Sequence, residues 1–399
     1  MPKKEKIAFG KLNLLRNDIL NNKKKIKIGF IGGGANSFIG YTHRLAARFD
    51  NRFDFKAGIF SQNIKKSIDF GTALGLDPDR CYDSYKNMAL SESKREDGIE
   101  ALGIMTPSGD HLKIAKPFIE KGIHIVCDKP LTATISEAEE LNKLVIKNKI
   151  IFALTHNYSA YPMLREAKKI VSSGKIGNIN LVNVEYPQGY TVGIKKKEER
   201  KTLKWRLDKK KSGPSMILAE IGTHAYHLLR YVTELEVIEL AAEVNSLSKE
   251  LTVDDNAFLL LRLNNQARGS IWVSSAATGG ENGLKIRVFG SKGAVEWFQD
   301  DPNNLKFTEL DKPMKIITRA SKGVSNFSLS SSRLAAGHPE GFFEAFANIY
   351  TEFAEMIQKN NRNKNIKPSY PTIEDGVKGI KFIFAAKKSS KLNSKWLKI

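Results

Sequence analysis

Residues 26–37 read IKIGFIGGGANS, and this stretch decides the fold. Residues 26–31 form a short apolar run suited to a buried strand. Three glycines follow, Gly32, Gly33 and Gly34, and the next stretch, FIGYTHRLAARFD over 38–50, carries helical spacing. A strand that passes through a glycine turn into a helix is the phosphate-binding region of dinucleotide folds. Its glycines allow a tight turn, close approach of backbone to a pyrophosphate, and close helix packing. Gly32 and Gly34 fill the first two roles. Ser37, small but not glycine, stands at the third, and Gly40 follows three residues later. The pyrophosphate is expected on backbone N–H groups where the helix begins, around Gly32, Gly33, Gly34, Ser37, Phe38 and Ile39. A glycine cluster by itself is often only a turn; the strand before it and the helix after it supply the meaning.

Working outward, the alternation continues. Strands are expected over 53–60, 101–105, 123–127 and 150–154. Helices are expected over 64–75, 111–121 and 136–148, the last capped by Ser136. This spacing predicts right-handed βαβ units and a mainly parallel, doubly wound sheet. Beyond residue 155 the texture changes. A helix over 161–174 and a long strand over 180–188 lead to a basic loop at 194–212 and a helix in the latter part of 214–233. Strand-like runs follow at 237–245, 257–264, 267–275, 284–290 and 293–299, then helices at 342–358 and 373–390. Close strands with short turns predict an α+β layout with a large, mostly antiparallel open sheet and helices on one face. The expected fold class is therefore α/β, a doubly wound parallel sheet followed by that second domain. The expected divisions are an N-terminal extension over 1–25, a dinucleotide-binding domain over 26–155, a substrate-binding and oligomerisation domain over 156–370, and a C-terminal helix and tail over 371–399 packing back on the body.

The bulk properties agree. At roughly 150 residues per domain, 399 residues suggest two domains. With 41% hydrophobic and 27% charged residues, the composition is that of a soluble globular protein. No apolar run approaches the roughly 18 residues that span a bilayer. The basic N-terminus has no apolar core or small-residue cleavage site, so no secretory signal is expected and the cytoplasm is the expected location. Cys81 and Cys127 form no CxxC pair and no zinc-spaced cluster, so two buried free thiols are expected. The net charge of +21 would suit nucleic acid or an anionic membrane. The lysine runs at 23–25, 195–197 and 209–211 are scattered and not interleaved with aromatics. A solvated lysine-rich surface is expected instead, with no nucleic-acid or membrane partner.

Several residues carry chemistry. NAD enzymes often place an acid at the end of the second strand to bind the ribose diol. Here Phe60-Ser61-Gln62-Asn63 precedes Lys65 and Lys66, with no acid. Ser61 and a nearby lysine suit a 2′-phosphate, so NAD and NADP both stay open. The strand over 123–127 ends in Cys127-Asp128-Lys129-Pro130, where ligands collect in doubly wound sheets. Lys129 there can hydrogen-bond a hydroxyl or carbonyl undergoing hydride transfer. Glu220 and His224 are four apart, so on a helix they share a face, and a carboxylate beside an imidazole suits proton transfer. His227 lies on the same side. No third ligand has suitable spacing, so no metal is expected. By location, Asn157, Tyr158, Tyr186, Gln188, Trp205 and Arg206 are candidate substrate contacts, Trp205 by stacking on a sugar ring. Packing or solvation explains each of these equally well.

Together these stretches resemble the Gfo/Idh/MocA oxidoreductases. The resemblance is carried by Ile31-Gly32-Gly33-Gly34, by Thr106-Pro107 followed by His111, by Asp128-Lys129-Pro130, by Gly222-Thr223-His224, and by Gly337-His338-Pro339-Glu340-Gly341. It runs from about residue 26 to 390, and its specificity lies in order and spacing. It implies an N-terminal Rossmann domain, and a C-terminal α/β domain whose open sheet mediates homodimers or homotetramers. It implies oxidation or reduction of a sugar or cyclitol hydroxyl with NAD or NADP. It implies that Thr106, Pro107, His111 and Asp128 lie along the cofactor, that Lys129 contacts cofactor and substrate, and that His224 is the acid/base partner. Glu220 stands where Asp is usual, Asp128 where Glu is commoner, and Ser108 replaces a frequent Asn. Two other functions fit the scaffold: a glycoside hydrolase using tightly bound NAD transiently, and a non-catalytic dinucleotide-binding regulator.

Overall fold

The computed structural model describes residues 24–193, 205–248, 251–358 and 368–399. In chain order the elements begin with β1 (Ile26–Gly32), α1 (Phe38–Phe49), β2 (Phe53–Ile59), α2 (Ile64–Ala73), α3 (Tyr85–Glu92) and β3 (Ala101–Met105). Then come α4 (His111–Ile119), β4 (His124–Cys127), α5 (Ile135–Lys147), β5 (Phe152–Leu154), α6 (Pro162–Ser172) and β6 (Ile179–Pro187). After α7 (Thr223–Thr233) the strands are β7 (Val237–Asn245), β8 (Asn256–Leu263), β9 (Arg268–Ser274), β10 (Lys285–Gly290), β11 (Gly293–Phe298), β12 (Asn304–Glu309) and β13 (Lys315–Thr318). The helices α8 (Phe342–Gln358) and α9 (Ile373–Lys391) and the short strand β14 (Leu397–Lys398) complete the chain. Of the expected extension over 1–25, only Lys24 and Lys25 are described. Of the expected loop over 194–212, residues 194–204 lie outside the described residues; the rest is a turn and a short helix, Lys209–Ser212.

The chain divides into two compact units. The first holds the described residues of 24–157 and 346–377, that is 24–157, 346–358 and 368–377. Its five strands run in the order β2-β1-β3-β4-β5, and every pair is parallel. All residues of β3 and β4 are buried, as a sheet covered on both faces requires. The capping residue of α5 is Thr134, not Ser136. Thr134 and Glu137 form a reciprocal capping box, in which the Glu137 N–H donates to the Thr134 hydroxyl and the Thr134 N–H to the Glu137 carboxylate. Helix α3 was unread in the sequence because Met88 and Ala89 are its only buried apolar residues.

Residues 346–358 and 368–377 belong to this unit although they follow the long run of strands. The reason is aromatic packing. Phe346, Tyr350 and Phe353 of α8 are buried. Tyr350 meets Phe53 edge-on at 5.6 Å, and Phe353 lies nearly parallel to Phe53 at 6.4 Å. The Leu154 N–H donates to the Pro371 carbonyl at 2.8 Å.

The second unit holds the described residues of 158–345 and 378–399. Its nine-stranded sheet has the order β13-β12-β11-β10-β6-β9-β8-β7-β14. Only β6 and β9 pair in parallel; the other neighbours are antiparallel. Helices α6 and α7 pack on one face. The other face carries Leu181, Phe258 and Leu260, each at least half exposed. Phe258 stacks on Trp272 across the β8–β9 pair at 5.9 Å. Strands β12, β13 and β14 were not expected from the sequence, being short, of 6, 4 and 2 residues. Among the described residues no helix is long and apolar enough to cross a membrane.

Phe353 is fully buried against Phe53. Phe353→Ala is expected to cost the first unit about 3–5 kcal/mol, read as an earlier transition in urea denaturation. A shift of a few tenths of a kcal/mol would show that α8 does not support this sheet.

Candidate functional site

The glycine turn is built by close approach. Gly32 and Gly33 have φ of +88° and +65°, where other residues are strained. A Cβ on Gly34 would stand 2.5 Å from the Phe60 carbonyl oxygen, and one on Gly40 only 2.3 Å from the Gly33 Cα. Gly40 therefore performs the helix packing expected at Ser37. Ser37 instead caps α1, its hydroxyl accepting from the Gly40 N–H at 3.0 Å. The turn is three residues longer than the usual fingerprint, and Gly40 in the sequence was the signal for it. The buried Arg44 guanidinium donates to the Gly33 carbonyl and lies 5.0 Å from the Phe70 ring. Phe38 opens the helix exposed, and Ile39 is half-buried.

At the end of β2, the Ser61 hydroxyl accepts from the Asn63 N–H at 3.1 Å, and the Asn63 side chain caps α2. No acid stands over residues 60–66, and Lys65 and Lys66 are exposed. This edge suits either nucleotide.

The ends of β3 and β4 are tied together by His111. Its Nδ1 lies 2.9 Å from the Leu131 carbonyl, and its Nε2 lies 2.8 Å from that of Thr106. The expected cofactor contact thus spends both ring nitrogens on backbone carbonyls. Pro107 leads into the turn before α4. The Thr106 hydroxyl is buried and has no partner among the described residues, so it is an available donor for a ligand. Lys129, half-buried, precedes a cis peptide bond to Pro130. Asp128 accepts from the Thr155 hydroxyl at 2.8 Å, and the same oxygen lies 3.6 Å from His43 Nε2. Burial pulls its pKa upward, but His43, Lys129 and Thr155 outweigh that and hold it down at about 2. Burial and the Asp128 charge push the Cys127 thiol well up. His43 was missed in the sequence; its position one helical turn after Gly40 was the available signal.

In the second unit, Leu218–Gly222 forms a π-helical turn that runs directly into α7. Glu220 lies in that turn and is gripped by Arg206, with Nε at 2.6 Å and Nη2 at 3.0 Å. Arg206 also sits 4.6 Å from the Trp205 ring, so one face of that ring meets its own neighbour. His224 is buried at the start of α7. Tyr158 meets its ring edge-on at 4.9 Å, and the Tyr158 and Tyr186 hydroxyls are 2.5 Å apart. Burial raises Tyr158 to about 12 and Tyr186 well above its usual range. The unit thus gathers Tyr158, Tyr186 and His224 in one cluster, and Trp205, Arg206 and Glu220 in another. His227 packs on Tyr231 at 6.0 Å. Gln188 donates to the Asn282 side chain. Asn157, which ends the first stretch of the first unit, is buried, and its side-chain NH₂ has no hydrogen-bond partner among the described residues. In the 337–341 stretch, buried Glu340 accepts from Arg319 and from the Arg333 and Leu334 N–H groups, which anchors that loop. Among the described residues no group of three His, Cys, Asp or Glu side chains is placed to hold a metal ion.

Residues 26–156 match the model of an oxidoreductase family with an NAD-binding Rossmann fold. Residues 164–296 match that of the GFO/IDH/MocA C-terminal domain. The uncharacterized oxidoreductase YfiI of Bacillus subtilis is 34% identical over 380 residues, which is 94% of this chain and 97% of YfiI. The chain belongs to the Gfo/Idh/MocA oxidoreductase family. Its fold matches the crystal structure of an oxidoreductase from Sinorhizobium meliloti at 42% identity and a TM-score of 0.84, over 94% of this chain and 100% of that one. It also matches an inositol dehydrogenase homolog from Azotobacter vinelandii in complex with NAD+, at 32% identity and a TM-score of 0.90, over 94% and 98% of the two chains. That homolog has a second structure with NADH and myo-inositol. The expected family and fold class are thereby shown. The first unit is an NAD-binding Rossmann unit, and the tight glycine cradle and the unpartnered Thr106 hydroxyl fit a dinucleotide.

A methyl at residue 40 would meet the Gly33 backbone. Gly40→Ala is expected to weaken dinucleotide binding by about tenfold or more, or ~1.4 kcal/mol, in a fluorescence titration with circular dichroism unchanged. Undiminished affinity would mean that the turn tolerates the added group.

Proposed function

We propose that this protein is an NAD(P)-dependent dehydrogenase or reductase acting on a CH–OH group of a sugar, a sugar derivative or a cyclitol such as inositol. The observation that carries the reading is the Asp128-Lys129 pair at the carboxyl end of β4 in a nucleotide-binding sheet. The Azotobacter homolog bound to NADH and myo-inositol supports the substrate class. The nicotinamide supplies or accepts the hydride.

The chain's own residues manage the hydroxyl. Lys129 donates to the substrate oxygen, and its positive charge favours the alkoxide that develops as hydride leaves. Asp128, ionised beside it, directs the lysine. His224 exchanges the hydroxyl proton, with its ring held by the edge contact from Tyr158. Glu220, clamped by Arg206, is a fixed anion on the turn ahead of His224 and tunes it without carrying the proton. Thr106 serves the cofactor. Asn157, Tyr186 and Trp205 serve the substrate. The two buried free thiols suit a reducing, cytoplasmic compartment.

Partnership belongs to the same reading. The face with Leu181, Phe258, Leu260 and Trp272 pairs two copies of the chain, because apolar side chains at this density on one sheet face are covered in a stable protein. The double variant Phe258→Lys and Leu260→Lys is expected to elute as a monomer in size-exclusion chromatography with light scattering, where the parent is a dimer or tetramer. An unchanged assembly would place the interface elsewhere.

The activity itself is tested by screening polyols and sugars for reduced-nicotinamide absorbance, with NAD and NADP separately. With a substrate in hand, Lys129→Ala should keep nearly its full dinucleotide affinity while kcat/KM falls by about 10²–10⁴. Undiminished turnover in that variant would sink the assignment of Lys129.

A further inference from the structure

We propose that a cavity in the second unit binds a small organic dianion, a phosphate monoester or a dicarboxylate with a short apolar body. The site is independent of the hydride chemistry proposed above and adds a second ligand to it.

The cavity has a volume of about 370 Å³, at the small end of ligand sites, which run roughly from 300 to 1,000 Å³. It is lined from three parts of the unit: the segment that leads toward α7, the end of β7 with the approach to β8, and the last turns of α9. Among the candidate site residues Arg206 lines it, and Tyr158, Tyr186, Glu220 and His224 do not.

Part of its wall is apolar. Met216, Leu251 and Val253 are buried in one cluster, with Leu207 packed against them, and all three reach the cavity. Four cationic side chains line the same space, Arg206, Lys209, Lys387 and Lys391. Asp254 is the one acid among the lining residues, and its charge is already answered. One of its oxygens accepts from the Ser215 hydroxyl at 2.6 Å and from the Ile217 N–H at 3.1 Å, and the other accepts from Lys387 Nζ at 2.9 Å. Arg206 is balanced in turn by Glu220. Lys209 and Lys391 remain. Both are exposed, and neither has an ion-pair partner among the described residues.

Two unbalanced ammoniums at a concave surface create a local positive potential that concentrates anions. Each is a compact point charge of the kind that binds phosphate or carboxylate, and together they match a charge of −2. The apolar wall favours a ligand with hydrocarbon to bury. A neutral polyol answers neither feature, and a bare inorganic ion answers only the first. The chemistry of the cavity therefore differs from that of the substrate proposed for the dehydrogenase reaction.

The probes are phenyl phosphate and adipate. Each is titrated by isothermal calorimetry into the full-length protein with NADH in excess, so that the dinucleotide site is filled. At least one is expected to bind with a Kd below about 1 mM, and the tighter one names the head group. The neutral counterparts benzyl alcohol and hexanediol, and inorganic phosphate, are expected to bind about tenfold more weakly or less. The double variant Lys209→Gln and Lys391→Gln is expected to weaken the tighter probe by about tenfold. Lys121→Gln with Lys147→Gln removes the same charge from exposed positions of the first unit and is expected to leave the Kd unchanged. All four positions are exposed, so each variant keeps the fold. Failure of both probes to bind, weakening no greater in the Lys209–Lys391 variant than in the Lys121–Lys147 variant, or equal affinity for a neutral counterpart or inorganic phosphate would overturn the proposal.

Discussion

The contact between Gly33 and Gly40 is the constraint on which the first unit depends. Two backbones meet there with no room for a side chain, so α1 begins directly against the turn that leaves β1. Everything that follows on α1 inherits that closeness. Ser37 is free to cap the helix because Gly40 does the packing. Arg44, one turn further, reaches back to the Gly33 carbonyl and pins the turn. His43, three residues after Gly40, arrives on the inner face of the helix, where Tyr350 and Asp128 stand. One steric requirement thus shapes the glycine turn and brings an imidazole to Asp128 beyond the end of β4.

A parallel sheet buried on both faces is a poor place for charge. Asp128 persists there as an anion because each of its surroundings favours the charged form: a hydroxyl donor, an imidazole and a neighbouring ammonium. His111 solves a related difficulty. The carbonyls of Thr106 and Leu131, beyond the ends of β3 and β4, both lie within 2.9 Å of one imidazole, which donates to one of them according to its tautomer. The chemistry proposed for Lys129 requires its backbone to stay fixed while hydride moves. His111, between the Thr106 and Leu131 carbonyls, ties the segment that carries Lys129 to the end of β3.

What could be read from the chain follows the range of the interactions. The glycine turn, the alternation of strands and helices, and the change of texture near residue 155 are local signals, and they were legible. The capping pair Thr134–Glu137 was also local, yet Ser136 competed as a cap and the reciprocal pattern decides it. Other features depend on partners distant in sequence. Nothing near Phe353 announces that it packs on Phe53, so the return of residues 346–358 and 368–377 to the first unit was invisible. Tyr158 and Tyr186 were each candidate substrate contacts by position; that they share a hydrogen bond beside His224 needed the fold. Glu220 was expected to face His224 on an α-helix. It lies instead in a π-helical turn ahead of that helix and pairs with Arg206.

The donors around each of two carboxylates, Asp128 and Glu220, suit the length of its side chain. At residue 128 the chain has Asp where the family more often has Glu. The donors for that carboxylate, Thr155 and His43, lie close in against the sheet, and a side chain longer by one methylene would overshoot them or crowd the buried imidazole. At residue 220 the chain has Glu where Asp is usual. Its partner is a guanidinium anchored on the Trp205 ring, and the added methylene lets both carboxylate oxygens engage it in parallel. In each place the reach of the acid matches the distance to its donors. At each site the chain places a carboxylate against donors close enough for it to reach.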